Sequence, residues 1–168
     1  MRTRIVAVTV AACAALLLVA GAMASGKAKP QARADARAKL ADRALFAVLT
    51  GRKEVDATGR RGVGDPNGRG TFTAMVDGNR LCFGITVKNI DTPVAAHIHK
   101  GRPSVAGPVV VPLTQPAGGD PGASSGCATV DAALARAILR HPRRYYANVH
   151  TKAFPAGAVR GQLFRKAN

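Results

Sequence analysis

Apolar and polar positions alternate with a period of two through the middle of the chain. Over Thr71–Val76, Phe72, Ala74 and Val76 fall on one side and Thr71, Thr73 and Met75 on the other. Asp77-Gly78-Asn79 follows as a hairpin turn. Arg80–Lys88 then alternates again, with Leu81, Phe83, Ile85 and Val87 facing one way and Arg80, Cys82, Thr86 and Lys88 the other. Alternation around an Asp-Gly turn predicts a half-buried antiparallel hairpin. Leu45–Leu49 reads as an earlier strand. Short strands are predicted at Val94–His99, Pro108–Leu113, Gly126–Val130, Tyr145–His150 and Ala158–Phe164, bounded by Gly or Pro. One helix interrupts them: Asp131 is a natural N-cap, Leu134, Ala135, Ile138 and Leu139 share a face, and Pro142 prevents continuation. Many short strands with a single short helix predict an all-β fold, an antiparallel Greek-key-like β-sandwich.

The chain before Leu45 has a different character. Met1-Arg2-Thr3-Arg4 precedes an apolar run from Ile5 to Ala20, and Ala22-Met23-Ala24 offers an Ala-x-Ala cleavage site. This is the pattern of a secretory signal peptide over residues 1–24. The alternative is an uncleaved anchor, but the run is near the lower limit for spanning a bilayer. The mature form is expected to be secreted or extracytoplasmic, with no transmembrane helix. Residues 25–44 are rich in Ala, Arg, Lys and Asp and poor in large apolar side chains. They read as a basic tether, with a fraying helix around Asp35–Ala44. Residues 45–168 then form the domain.

Composition narrows the possible partners. The formal charge is +16. Cleavage after Ala24 would leave +14, of which residues 25–44 carry +4 and residues 45–168 carry +10. Such a surface attracts polyanions, and an anionic cell-envelope polymer is one expected partner. Arg60, Arg61, Arg136, Arg140, Arg143 and Arg144 would form that surface. Arg and Ala are also abundant in chains from GC-rich genomes, without any selection for a ligand. Nucleic acid is not expected, because the chain is exported and lacks a basic stripe interleaved with stacking aromatics. Cleavage would leave two cysteines, Cys82 and Cys127. An even count in an oxidising compartment favours a disulfide, and two unrelated buried thiols are the alternative.

Candidate chemistry centres on histidine. His97 and His99 lie two apart on one predicted strand and project together, while Ile98 points the other way. On a later strand His150 shares a face with Asn148 and Tyr146. If the two strands are neighbours, three imidazoles converge, and three neutral imidazoles can bind copper or zinc. Ring nitrogens around one ion should lie within roughly 4 Å of one another. The competing reading has these rings fastening loops by hydrogen bonds, with no cofactor. His141, beside Pro142, reads as a charge partner at a helix C-terminus. Gly64-Asp65-Pro66-Asn67-Gly68 reads as a turn, since too few carboxylates follow it to fill a calcium site. Glu54 is the only glutamate, no nucleophile motif or phosphate loop occurs, and no carboxylate pair suits acid–base work. No catalytic residue is assigned, and an enzyme is not expected.

Two stretches carry a family resemblance. Ala96-His97-Ile98-His99-Lys100-Gly101, followed by Gly107-Pro108-Val109-Val110-Val111-Pro112-Leu113, resembles the centre of the chordin-type (CHRD) domain. Tyr145-Tyr146-Ala147-Asn148-Val149-His150-Thr151 and Phe154–Leu163 are similar to its later part, and Leu49-Thr50-Gly51 with Glu54-Val55 to its opening. The likeness runs from about Leu45 to Arg165. It departs at Val55-Asp56, where the family usually has proline after the Glu-Val pair. The resemblance implies an extracellular β-sandwich and a binding module of open ligand, in the manner of the family's exported bacterial members. A fainter likeness is to copper-zinc superoxide dismutase. It would make His97, His99 and His150 copper ligands and liken Arg160 to an anion-guiding arginine. That family's bridging and zinc histidines have no matching positions here.

Overall fold

The computed structural model describes residues 29–165. The predicted signal peptide, residues 1–24, lies outside them. Among the described residues eight strands form: β1 (Ala44–Thr50), β2 (Arg69–Asp77), β3 (Arg80–Lys88), β4 (Pro93–Lys100), β5 (Val109–Leu113), β6 (Gly122–Thr129), β7 (Tyr145–Thr151) and β8 (Val159–Gln162). Helix α1 covers Pro30–Ala41 and α2 covers Ala132–Arg140. Among the described residues no helix is long and apolar enough to cross a membrane.

All the strand pairs are antiparallel, in the order β5-β4-β7-β8-β1-β2-β3-β6. The all-β expectation therefore holds. The expected Greek-key sandwich is not what the hydrogen bonds trace, because the strands form one continuous, nearly closed, barrel-like sheet. Its weakest seam is β1–β8, where the ladder reduces to Thr50 opposite Arg160, supplemented by a bridge between Phe46 and Phe164. Gly161 permits that close approach, since a Cβ there would crowd Val48 O. The sheet curls until its ends meet: Ser124 Oγ donates to Thr114 O at 2.8 Å, and Ala117 N to Ala123 O at 3.2 Å. Alternation of the strand residues does not report how a sheet coils, which is why the pattern predicted strands but not their closure.

Inward residues follow the predicted alternation. Phe72, Ala74, Val76, Leu81, Phe83, Ile85 and Val87 are all buried in the core, joined by Leu45, Leu49, Ile98 and Val149. Asp131 Oδ1 accepts from Ala133 N and Leu134 N, capping α2 as its sequence implies, and Ala135 and Ile138 are the buried residues of that helix. His141 is its exposed C-cap. Cys82 and Cys127 sit opposite each other across β3 and β6 and form a disulfide. Cys82 lies on the face away from the core, so the bond staples the outside of an edge strand.

Most strand boundaries shift by one or two residues from the sequence reading, and two elements shift by more. Helix α1 begins five residues earlier than Asp35, because Pro30 occupies its first turn, where proline costs no hydrogen bond. It buries no residue, and Leu40 remains 54% exposed. Strand β6 starts at Gly122 rather than Gly126, because Ala123, Ser124 and Ser125 pair with Thr86, Ile85 and Gly84 despite carrying little apolar surface. Asp65 behaves as expected of a turn, with its Oδ1 accepting from Asn67 N and Gly68 N.

Candidate functional site: a histidine-lined face

Strands β4, β7 and β8 lie side by side, and their register brings the polar residues together. His97 pairs with Asn148, which pairs with Arg160, while His99 pairs with Tyr146, which pairs with Gln162. Ala95 pairs with His150. These residues share the outer face because their neighbours Ile98, Ala147, Val149 and Val159 are spent on the core. Loops then cover the layer, and His99 is only 8% exposed.

The imidazoles converge as the spacing implied. Rings of His97 and His99 are 5.5 Å apart between centroids, His97 and His150 5.0 Å, and His99 and His150 6.1 Å. One nitrogen from each of the three lies within 4.8 Å of the others. Two ligands of one ion can be no more than about 4.2 Å apart, so a pair at the 4.8 Å limit would close by about 0.6 Å on binding. His97 Nδ1 and His150 Nε2, at 3.1 Å, already subtend about 100° at an ion 2.0–2.1 Å from each.

The hydrogen bonds fix which nitrogens are free. His99 Nδ1 is 2.8 Å from Gly107 O, and His150 Nδ1 is 2.9 Å from Pro155 O. A carbonyl can only accept, so both rings carry their proton on Nδ1 and present Nε2 as a lone pair. His150 Nε2 accordingly accepts from His97 Nδ1 at 3.1 Å, and its 3.1 Å approach to the Asn148 amide is a hydrogen bond only with the amide turned to present its NH2 there. His99 Nε2 is buried with no hydrogen-bond partner. These rings thus fasten two loops with one nitrogen each and keep the other nitrogen facing the cluster.

Electrostatics keeps the group neutral. Burial, reinforced by the neighbouring His150 and His99, pushes His97 down to about 4. Burial also lowers His99, against the hydrogen bond to Gly107 that raises it, and lowers His150. Neutral imidazole is the form that ligates metal.

Behind the imidazoles lies a second polar group. Tyr146 stacks on His99 at 4.8 Å with 7° between planes, and the Arg160 guanidinium carbon lies 3.4 Å from the Tyr146 ring centre. Arg160, 1% exposed, donates through Nη2 to Arg102 O at 2.9 Å and Val105 O at 3.0 Å. Its Nη1 is 3.6 Å from Glu54 Oε1, an ion pair too long for a hydrogen bond. So buried a guanidinium cannot meet anions arriving from solution, as the likeness to superoxide dismutase would ask; it ties a loop to β8 instead. Tyr146, Asn148 and Arg160 therefore all join the histidines. Glu54 joins them unforeseen. Its signals in the sequence are being the chain's single glutamate and standing in the Glu54-Val55 pair of the family-like opening, and neither says where it packs.

An antiparallel, disulfide-stapled β domain fits an extracellular type of binding module. The family model for the CHRD domain matches residues 45–163, and the chain belongs to that family. No curated protein and no solved structure matches it.

Proposed function

We propose that this protein is an exported, non-enzymatic binding module of the cell envelope whose histidine face holds a single copper or zinc ion through His97, His99 and His150. The observation that carries the metal is the buried Nε2 of His99, which makes no well-formed hydrogen bond, in a cluster whose three ring nitrogens lie within 4.8 Å of one another. Leaving a buried polar atom unsatisfied costs about 1–3 kcal/mol, which a ligand bond would remove. An all-nitrogen set without thiolate or carboxylate suits copper and zinc better than calcium or magnesium. Asn148 and Tyr146 support the ring positions. The non-enzymatic part draws support from the carboxylates, several of which are occupied structurally: Asp131 in the α2 cap, Asp65 in a turn and Asp77 with Arg43 at 2.8 Å.

The test is metal analysis of the full chain purified without chelators. One equivalent of copper or zinc is expected, and His99→Ala should lose it while keeping its β-sheet circular dichroism and its disulfide. Metal-free wild-type protein that takes up neither ion at micromolar concentration sinks the metal reading and leaves the loop-fastening role alone.

A further inference from the structure

Beside the imidazole layer the outer face holds a second feature. Lys53, Arg61, Arg160 and Gln162, walled by Val48 and Phe164, line a cavity of about 220 Å³. No Asp or Glu is among its described lining residues. Three cations that face one small space repel one another, and the chain holds two of them there. Lys53 Nζ is anchored to Val48 O at 2.8 Å, and Arg160 is anchored by its two loop carbonyls. Glu54 balances Arg160 in part, from 3.6 Å. Neither Lys53 nor Arg61 has an ion-pair partner among the described residues. Burial and the charge of Arg61 together push the Lys53 ammonium below its ordinary range.

We propose that this cavity binds one small oxyanion group: a phosphate, sulfate or carboxylate, free or borne by a larger molecule. An oxyanion supplies what the residues lack, a counter-charge for Lys53 and Arg61, while the buried Arg160 adds its positive field from the wall of the cavity. Charge-assisted bonds of this kind are the stronger class of hydrogen bond. The volume sets the size of the occupant. It falls below the roughly 300–1,000 Å³ of sites for drug-sized ligands, so it admits a headgroup, not an extended chain. The cavity shares none of the three histidines; Arg160, which packs on Tyr146 of the histidine face, is the residue common to both.

The test uses the full chain treated with a chelator, so that anions cannot bind through an adventitious metal. Calorimetric titrations with inorganic phosphate, sulfate and acetate are compared with chloride at matched ionic strength. At least one oxyanion should bind tenfold or more tighter than chloride, and which one binds best assigns the class. Lys53→Gln with Arg61→Gln should weaken it at least tenfold. Both positions have solvent access, so this variant should keep its fold, checked by its melting temperature without anion. Arg136→Gln with Arg140→Gln, on α2, should bind as the wild type does. Binding no tighter than chloride, or undiminished in the Lys53/Arg61 variant, overturns the proposal.

Discussion

Glu54 and Arg160 face each other at 1% exposure each, across 3.6 Å. Burial raises the Glu54 pKa, opposed by the hydrogen bond from Val55 N and by Arg160. Removing one charge of a buried pair strands the other, which costs about 3–5 kcal/mol. Arg160 retains its two carbonyl bonds, so Glu54→Gln should fall at the lower end, about 3 kcal/mol, by urea denaturation at pH 7. A loss under about 1 kcal/mol would mean the carbonyls alone satisfy the guanidinium. Gly157 makes room for this pair. It has φ 144°, and a Cβ there would collide with Glu54 Oε2 and crowd the Asn148 amide. Gly157→Ala combines overpacking with backbone strain and should cost about 2–4 kcal/mol in the same measurement.

Strands β4 and β7 put three depressed imidazoles on one face, and this sets a pH dependence for the metal-free chain. The unfolded histidines protonate near 6.5, whereas burial holds the folded ones lower, His97 at about 4. Between those values the unfolded chain binds more protons, so stability is full above about 6.5 and falls as pH drops toward 4. Glu54, raised by burial, acts with the opposite sign, but it is one group against three. Thermal melts between pH 7.5 and 4.5 should show a monotonic fall, and a flat profile would place the rings in a more solvated setting than this one. Strands β3 and β6 carry the disulfide, which closes a loop with a sequence separation of 45 residues. Chain entropy alone makes it worth about 4 kcal/mol, so Cys82→Ser with Cys127→Ser should lower the melting temperature markedly. What could be read from the sequence divides along the same elements. Period-two alternation located the β2–β3 hairpin and separated His97 and His99 from Ile98, because side-chain direction in a strand is a local property. The neighbouring of β4 and β7, the single curled sheet and the burial of Glu54 are settled by long-range contacts, which no local pattern encodes. Likewise Gly107 and Pro155 bind the imidazoles through backbone carbonyls, which every residue type possesses.

The whole molecule carries +16, and its cations are unevenly placed. Lys39 and Arg43 at the end of α1, Arg136 and Arg140 on α2, and Arg165 surround one open groove with Asp42 as its described acidic member. Arg143 and Arg144 follow on the exposed turn before β7. Exposed charges of this kind act at long range but are screened within about 10 Å at 0.1 M salt and about 3 Å at 1 M. Retention on an anionic polymer such as dextran sulfate should therefore be strong at low salt and lost well below 1 M. The slope of log affinity against log salt counts the charges neutralised on a linear polyanion, by nearly one per contact. Arg136→Gln with Arg140→Gln should lower that slope by up to about two, while Lys53→Gln with Arg61→Gln, on a different face and in a cavity too small for a chain, should change it less. Retention that survives 1 M salt, or a slope indifferent to α2, would mean that the excess charge is a compositional habit of the chain and not a handle for polyanions.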